Sequence, residues 1–374
     1  MEEQRGMMGD VPLSTLVLDV DDLTAVIADV GLDAFMDELI DVLRREMASF
    51  DPAKVEHRVR AGFNYESPTH GLVEWMPTMV NGDVVSVKTV GYHPSNPTVR
   101  NIPSVLATTA LYDTTTGSLM ALCEATLLTA LRTGAASAVM TAALTAPGPI
   151  TLGVVGCGAQ AVTQIHAIAR VRKIDRLIVT DSDRSVAATL ARRLPEEVVR
   201  PEVLSRAAFG DAVGDMDVLC TCTSVPIGDG PVVDLSGARS GLHVNAVGSD
   251  FPGKTELPID FLRRAIVIPD IADQCLVEGE SQRLQRHELG PDIVDVLSGS
   301  MSLVDETTVF DSTGWSFEDL LSARLFHEHA VRLDRGTFVE LQRAPVDPYD
   351  PYETLRTTAA LRSIENSALA LGHG

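Results

Sequence analysis

The sequence predicts an α/β chain in which a doubly wound parallel sheet follows an α+β domain. Three observations carry that prediction. From residue 150 to 217, short apolar runs alternate with helical periodicity, the pattern of successive βαβ units. Residues 72–112 instead carry strand signals, clearest in the alternation of 84–90. Pro147-Gly148-Pro149 breaks the chain between the two regimes. With 374 residues, the chain exceeds the roughly 250–300 residues at which single cores stop growing, so two domains are expected.

Taken in order, residues 15–20 read as a short strand. Asp21 and Asp22 suit a helix N-cap, and 32–50 has helical periodicity. Capping also explains the acidic run 19–22 better than a metal site does. Asn81-Gly82-Asp83 reads as a hairpin turn before 84–90. Strands at 106–112 and 119–122 follow, then a long apolar helix over 125–144. In the second domain, strands are expected at 150–156, 176–181, 217–223, 241–247 and 265–269. Helices are expected at 160–171 and 185–194. A late helix at 317–332 returns to the first domain, which therefore comprises 1–147 plus about 317–352. The second domain is 148–316, and 353–374 is a C-terminal extension beginning after the turn-rich stretch Asp347-Pro348-Tyr349-Asp350-Pro351-Tyr352.

Hydrophobic residues make up 45% and charged residues 22% of the chain, as in soluble globular proteins. The formal net charge of -22 repels phosphate backbones and anionic membranes, so neither nucleic acid nor membrane is an expected partner. Glu124 and Arg132 interrupt the apolar stretch 119–146, which reads as buried helix rather than a span. The N-terminus, Met1-Glu2-Glu3-Gln4-Arg5, lacks the pattern of a signal peptide. The five cysteines are odd in number and sit mostly in apolar runs, which suits reduced thiols in the cytoplasm. Cys220-Thr221-Cys222 lies in an expected strand without a second ligand pair and reads as buried small hydrophobes.

Gly156-Cys157-Gly158-Ala159-Gln160-Ala161 follows the apolar run 150–155 directly and opens a helix. In such a Rossmann-type turn, the first glycine permits the tight bend and the second lets the backbone approach a pyrophosphate. Ala161 serves as the third small residue. Amides at the helix N-terminus then face the phosphates. The next strand ends in Asp181, where an acid binds ribose hydroxyls and favours NAD over NADP, with Arg184 close enough to weaken that preference.

Isolated charges stand in otherwise apolar or turn-like settings: Arg60, Glu74, Lys88 and Arg132 in the first domain, and Asp250 past a strand end in the second. Buried charge is costly unless paired. Two arginines and a lysine suit a carboxylate; Glu74 and Asp250 suit a protonated amine. Singly, each also reads as half of a structural ion pair, and spacing alone does not bring them together.

At these residues the chain resembles the ornithine cyclodeaminase and mu-crystallin family. The resemblance covers about 10–345 and is most specific in Asn245-Ala246-Val247-Gly248-Ser249-Asp250 and Pro252-Gly253-Lys254-Thr255-Glu256-Leu257. Glu74-Trp75-Met76-Pro77 and Lys88-Thr89-Val90-Gly91-Tyr92-His93-Pro94 are similar to the lysine cyclodeaminase branch. The resemblance implies a Rossmann-type NAD-binding domain beside a substrate and dimerisation domain, assembled as a homodimer. It implies conversion of a basic L-amino acid, L-lysine to L-pipecolate or L-ornithine to L-proline, with release of ammonia and hydride transfer to and from bound NAD. Arg60, Lys88 and Arg132 would hold the substrate carboxylate, Glu74 would orient the distal amine, Met76 would line the pocket, and Thr313 would touch substrate. Asp250 would be the acid/base, with Glu74 and Lys88 also in the catalytic set. The cofactor would be held by Gly156, Gly158, Ala159, Gln160, Asp181, Thr223, the backbone of Asn245, Ala246, Val247 and Gly248, and also by Ser104, Arg132, Lys254 and Ser312.

The same scaffold also suits a ketimine reductase or an amino-acid dehydrogenase, or a non-enzymatic, crystallin-like protein that binds NAD or a small ligand. The joint presence of Arg60, Glu74, Lys88, Arg132 and Asp250 favours catalysis. No metal is expected, since His327-Glu328-His329 places its histidines on different helix faces and no HExxH motif occurs. A GxSxG elbow is also lacking.

Overall fold

The computed structural model describes residues 13–356, apart from 346 and 354. The N-terminal pentapeptide and nearly all of the C-terminal extension lie outside the described residues. The chain begins with β1 (Thr15–Leu18), α1 (Val20–Val30), α2 (Leu32–Ala48), β2 (Val55–His57), β3 (Ala61–Tyr65), β4 (Gly71–Val80) and β5 (Val84–Tyr92). Then come α3 (Asn96–Val99), β6 (Val105–Asp113), β7 (Leu119–Glu124) and α4 (Thr126–Leu144). The next stretch is β8 (Ile150–Val155), α5 (Ala159–Val171), β9 (Ile174–Thr180), α6 (Arg184–Thr189), β10 (Glu202–Val203), α7 (Arg206–Ala212) and β11 (Val218–Thr221). It continues through β12 (His243–Ala246), α8 (Ile259–Leu262), β13 (Ile266–Pro269), α9 (Ala272–Glu278), α10 (Ile293–Leu297) and β14 (Thr308–Asp311). The chain closes with α11 (Ser316–Arg332) and β15 (Thr337–Val339).

The first sheet is ordered β15-β1-β7-β6-β5-β4-β2, with β3 also on β4. Its first strand is shorter than the sequence suggested, because Asp19 interrupts it. The cap of α1 is Asp19 rather than Asp21 or Asp22: its Oδ1 accepts both of their amides, and Asp22 Oδ2 accepts the amide of Asp19. This reciprocal capping satisfies donors that the first helical turn leaves open. In α2, Phe35, Met36, Leu39, Ile40 and Leu43 recur at helical spacing and are buried, so the helix lies with one apolar stripe on the core.

The second sheet is ordered β10-β9-β8-β11-β12-β14-β13, and its pairings are all parallel. Strand order reverses between β8 and β11, the topological switch point at which ligands of open α/β sheets bind. Sequence reading placed no strand at β14, which inserts between β12 and β13. Four residues are too few to show a period, and burial on both faces leaves none to show. Residues 185–194 are likewise not one helix: α6 ends at Thr189 and a 3-10 turn covers Leu190–Arg192.

Helix α4 joins the two layers. Asn245 Nδ2 donates to Thr141 Oγ1 (3.0 Å), and Gln164 Nε2 donates to the carbonyl of Thr133 (3.2 Å). By length and composition α4 could cross a membrane, but 72% of its most apolar window is buried within the protein. Helix α11 packs on β4 and β5 of the first sheet, and β15 then pairs antiparallel with β1. The five cysteines are free thiols.

Candidate active site

The glycine turn lies at the switch point. Gly156 has φ of 91°, and a Cβ there would come 2.8 Å from the carbonyl oxygen of Cys222. Only glycine accommodates both the backbone and the approach of β8 to β11. At Gly158, the N-cap of α5, a Cβ would meet nothing within 4 Å. No side chain caps this helix, so the amides of Ala159 and Gln160 face open space in the manner of an anion cradle. Asp181 Oδ2 accepts the amide of Cys157 (2.6 Å), and its Oδ1 accepts that of Asp183 (2.8 Å). The acid thus braces the turn from the tip of β9. Arg193, unmarked in the sequence, donates to the carbonyl of Cys157 (2.9 Å). Cys157 itself is buried; burial, helped by Asp181, pushes its thiol up to about 12, so it packs rather than reacts.

The C-terminal ends of β11, β12 and β14 line the same edge. Glu256 ties two of them together, accepting the amides of Thr223 (2.7 Å) and Gly248 (2.9 Å). The amide of Val247 goes to the carbonyl of Thr221, and the carbonyl of Ala246 receives the amide of Ser312. Asn245 turns its side chain away to α4 and His243. Ser312 Oγ is buried without a partner, as a group awaiting a ligand would be. The open cradle, the braced acid and this orphaned hydroxyl all fit a dinucleotide.

Facing this edge is one side of the first sheet. Pairing of Met76 with Lys88 and of Glu74 with Val90 places Glu74, Met76 and Lys88 on the same face. Met76 is buried against Val90, Ala107 and Ala125. Arg60, just before β3, forms an ion pair with Glu278 (2.9 Å), off the line of a hydrogen bond, and approaches Glu74 at 3.6 Å. It also donates to the carbonyls of Thr313 and Gly314. Thr313 spends its hydroxyl between Asp270 (3.0 Å) and Gln274 (2.8 Å). Lys88 Nζ and Arg132 Nε both reach Asp319 Oδ1, at 2.8 and 2.9 Å, and Arg132 Nη1 reaches Glu318 at 2.8 Å.

Asp250 follows β12 and is ion-paired with Lys254 (2.8 Å), whose ammonium lies over the Tyr92 ring. Lys254 therefore contacts Asp250 directly, a pairing that sequence reading did not foresee. Ser104 stands nearby in the chain path, its carbonyl accepting the amide of His93 (2.8 Å). Burial raises Glu74 above its ordinary range, with Arg60 opposing and Asp250 adding to the rise. Arg60, Glu74, Lys88 and Asp250 thus share one electrostatic neighbourhood. Among the described residues, no group of three or more His, Cys, Asp or Glu side chains is arranged to hold a metal.

Sequence reading missed Glu278, Asp270, Gln274, Glu318 and Asp319. The signal available was indirect: three buried cations require carboxylates. Burial, against the pull of Arg60, pushes Glu278 up to about 7, and burial likewise pushes Asp311 up to about 7. A carboxyl whose folded-state pKa lies above its unfolded value holds a proton that the unfolded chain has given up. Its contribution to stability is full below the unfolded value and is lost as pH rises through the folded one. The melting temperature of the ligand-free protein is therefore expected to be higher at pH 5.5 than at pH 7.5. Thermal unfolding at constant ionic strength checks this, and Glu278→Gln should reduce the difference while the contribution of Asp311 remains.

A profile of the ornithine cyclodeaminase/mu-crystallin family matches residues 20–333. The chain belongs to this family. Within it, the chain is 37% identical to the L-lysine cyclodeaminase of Streptomyces rapamycinicus, over 91% of this chain and 99% of that one. A solved lysine cyclodeaminase, studied for recognition of L-lysine, L-ornithine and L-2,4-diaminobutyric acid, is 42% identical. It superposes with a TM-score of 0.86 over 91% of this chain and 99% of its own. An archaeal alanine dehydrogenase dimer with bound NAD is 27% identical, with a TM-score of 0.77 over 88% of this chain and all of its own. Proteins named as a cyclodeaminase and as a dehydrogenase thus share this chain's fold.

Proposed function

We propose that the chain is an NAD-dependent cyclodeaminase of a basic L-amino acid. It converts L-lysine to L-pipecolate, or L-ornithine to L-proline, and releases ammonia. The observation that carries this reading is the approach of Arg60 to Glu74 at 3.6 Å, with Lys88 and Asp250 among the charges that act on Glu74. The similarity to lysine cyclodeaminases supports it. Gly156, Gly158, Ala159, Gln160, Asp181, Thr223, the 245–248 backbone and Ser312 would hold NAD, with Ser104 and Lys254 at its margin. Bound NAD supplies a hydride acceptor and donor that is restored within each turnover.

The chain's own residues do the rest. Lys88 and Arg132 grip the substrate carboxylate, and Arg60 and Thr313 border it. Glu74 orients the distal ammonium, while Met76 gives the pocket an apolar wall. Asp250 takes a proton from the amine that attacks and returns one to the nitrogen that leaves. Holding both ends of a flexible substrate is itself a large contribution, since oriented groups reach effective molarities of about 10⁵ M or more.

Purified protein incubated with lysine or ornithine should yield ammonia and the cyclic amino acid without net change in nicotinamide absorbance. Absorbance that changes in step with product would instead mark a reductase or dehydrogenase. Absence of both signals would refute the enzymatic reading. Lysine and ornithine supplied together decide the preferred chain length, a difference of one methylene worth about 1–3 kcal/mol.

The cofactor-binding unit is 148–316; 1–147 with about 317–352 forms the substrate and dimerisation unit, acting in the cytoplasm. The homodimer is built on the sheet face opposite Lys88. Phe63 (69% exposed), Trp75 (37%), Leu106 (46%) and Met120 (39%) stand there, an apolar patch of the kind that marks an interface. Leu106→Glu is expected to convert dimer to monomer, measured by light scattering after gel filtration.

A further inference from the structure

We propose that Asp319 is a positioning residue: its Oδ1, accepting from Lys88 Nζ and Arg132 Nε together, binds the two cations into a single anion-binding fork. The inference rests on the reading of Lys88 and Arg132 as the grip for the substrate carboxylate.

The three side chains come from separate parts of the chain. Lys88 is on β5, Arg132 on α4 and Asp319 in the first turn of α11. Lys88 and Asp319 are each 2% exposed at the side chain and Arg132 is 5% exposed. Two cations so buried repel one another, and in a medium of low dielectric that repulsion is large. A single carboxylate oxygen at 2.8 and 2.9 Å from the two nitrogens lets them stand side by side. Glu318 takes a different edge of the guanidinium, through Nη1, and so fixes its plane. Arg132 Nη2 takes part in neither bond, and a Cβ on Gly314 would come 2.9 Å from it and 3.0 Å from Nη1.

Asp319 Oδ2 and Glu318 Oε1 are buried with no donor among the described residues, so the hydrogen bonds of Asp319 Oδ1 go to the two cations. Lys88 is also faced by Arg132 from α4, by Arg60 from the segment before β3 and by Glu74 from β4. Burial brings its ammonium down to about 8, and Asp319 is the leading influence that holds it up. Without that carboxylate, Lys88 would lose its proton near neutrality and with it the attraction for an anion.

The test is the pH dependence of KM for lysine or ornithine between pH 6 and 9. Wild-type KM should stay flat at neutral pH and rise near pH 8. For Asp319→Asn, the rise should begin at least one pH unit lower, with KM raised about tenfold at pH 7.5 and recovering toward pH 6. kcat at saturating substrate should change less. An unchanged profile, or a KM raised by the same factor at every pH, overturns the proposal. Asp319→Glu keeps the charge and guards against a variant that fails to fold. Its midpoint should match the wild type, and a midpoint displaced by a unit or more also overturns the proposal. Lys88→Ala and Arg132→Ala separate the two levels. If neither raises KM, the grip itself is misassigned. If both do and Asp319→Asn does not, only the role of Asp319 falls.

Discussion

Asp250→Asn is expected to lower turnover by about 10²–10⁴-fold, the usual contribution of a general acid/base, while NAD affinity stays within about threefold. The amide can still accept from Lys254, so the 2.8 Å contact and the loop after β12 should persist. What the variant lacks is a proton acceptor beside Arg60, Glu74 and Lys88. Turnover with saturating lysine or ornithine, set beside NAD titration by intrinsic fluorescence, separates the two effects. If activity survives, a different group moves the proton. Glu278 would then be examined first, since burial brings its carboxyl up to about 7 within reach of Glu74 and Asp250.

Gly158→Ala should abolish most NAD-dependent activity without unfolding the protein. A Cβ at Gly158 meets no protein atom within 4 Å, and its φ of -75° is open to alanine. The methyl group instead occupies the space through which a pyrophosphate approaches the helix amides. An ångström-scale displacement of a bound reactant costs about 100-fold in rate, and a loss of that order is expected at limiting NAD. Stability should stay within about 1 kcal/mol, because the lost preference for glycine at an N-cap and the gain in unfolded-state entropy oppose each other. Gly156→Ala makes the contrast. With φ of 91° and Cys222 O at 2.8 Å, it is expected to lose roughly 2 kcal/mol of stability through backbone strain. Melting temperatures and NAD titrations of the two variants distinguish a cofactor contact from a folding constraint. Equal destabilisation in both would show that Gly158 serves the fold.

The dinucleotide turn was legible because its determinants are consecutive in the chain. A buried strand, two glycines and a helix start occupy a dozen residues, and backbone sterics alone make them a tight turn. The charged residues of the first domain were legible for a different reason. Arg60, Glu74, Lys88 and Arg132 stand in apolar surroundings, where the cost of burying charge marks them as paired or functional. The partners were hidden. Glu318 and Asp319 sit in the first turn of α11, where acidic residues are expected for the helix dipole alone, so nothing set them apart. Asn245 was assigned through its backbone, and its side chain has a separate role. It lies in the most specific motif, but successive strand residues face opposite sides, and its side chain belongs to the packing of α4.

Local order by itself therefore determined the two-layer α/β plan, the helix caps within a few residues, the glycine turn and which cations stand in apolar surroundings. Tertiary structure alone decided what those cations touch. Lys88 on β5 and Arg132 on α4, 231 and 187 residues from Asp319 on α11, meet at that aspartate because the three elements are folded into one wall. In the same way, β14 entered the sheet between strands that precede it. Periodicity records which face of an element is buried, but not which element covers it; that choice is made by long-range packing, where the free energy of pairing buried charges is settled.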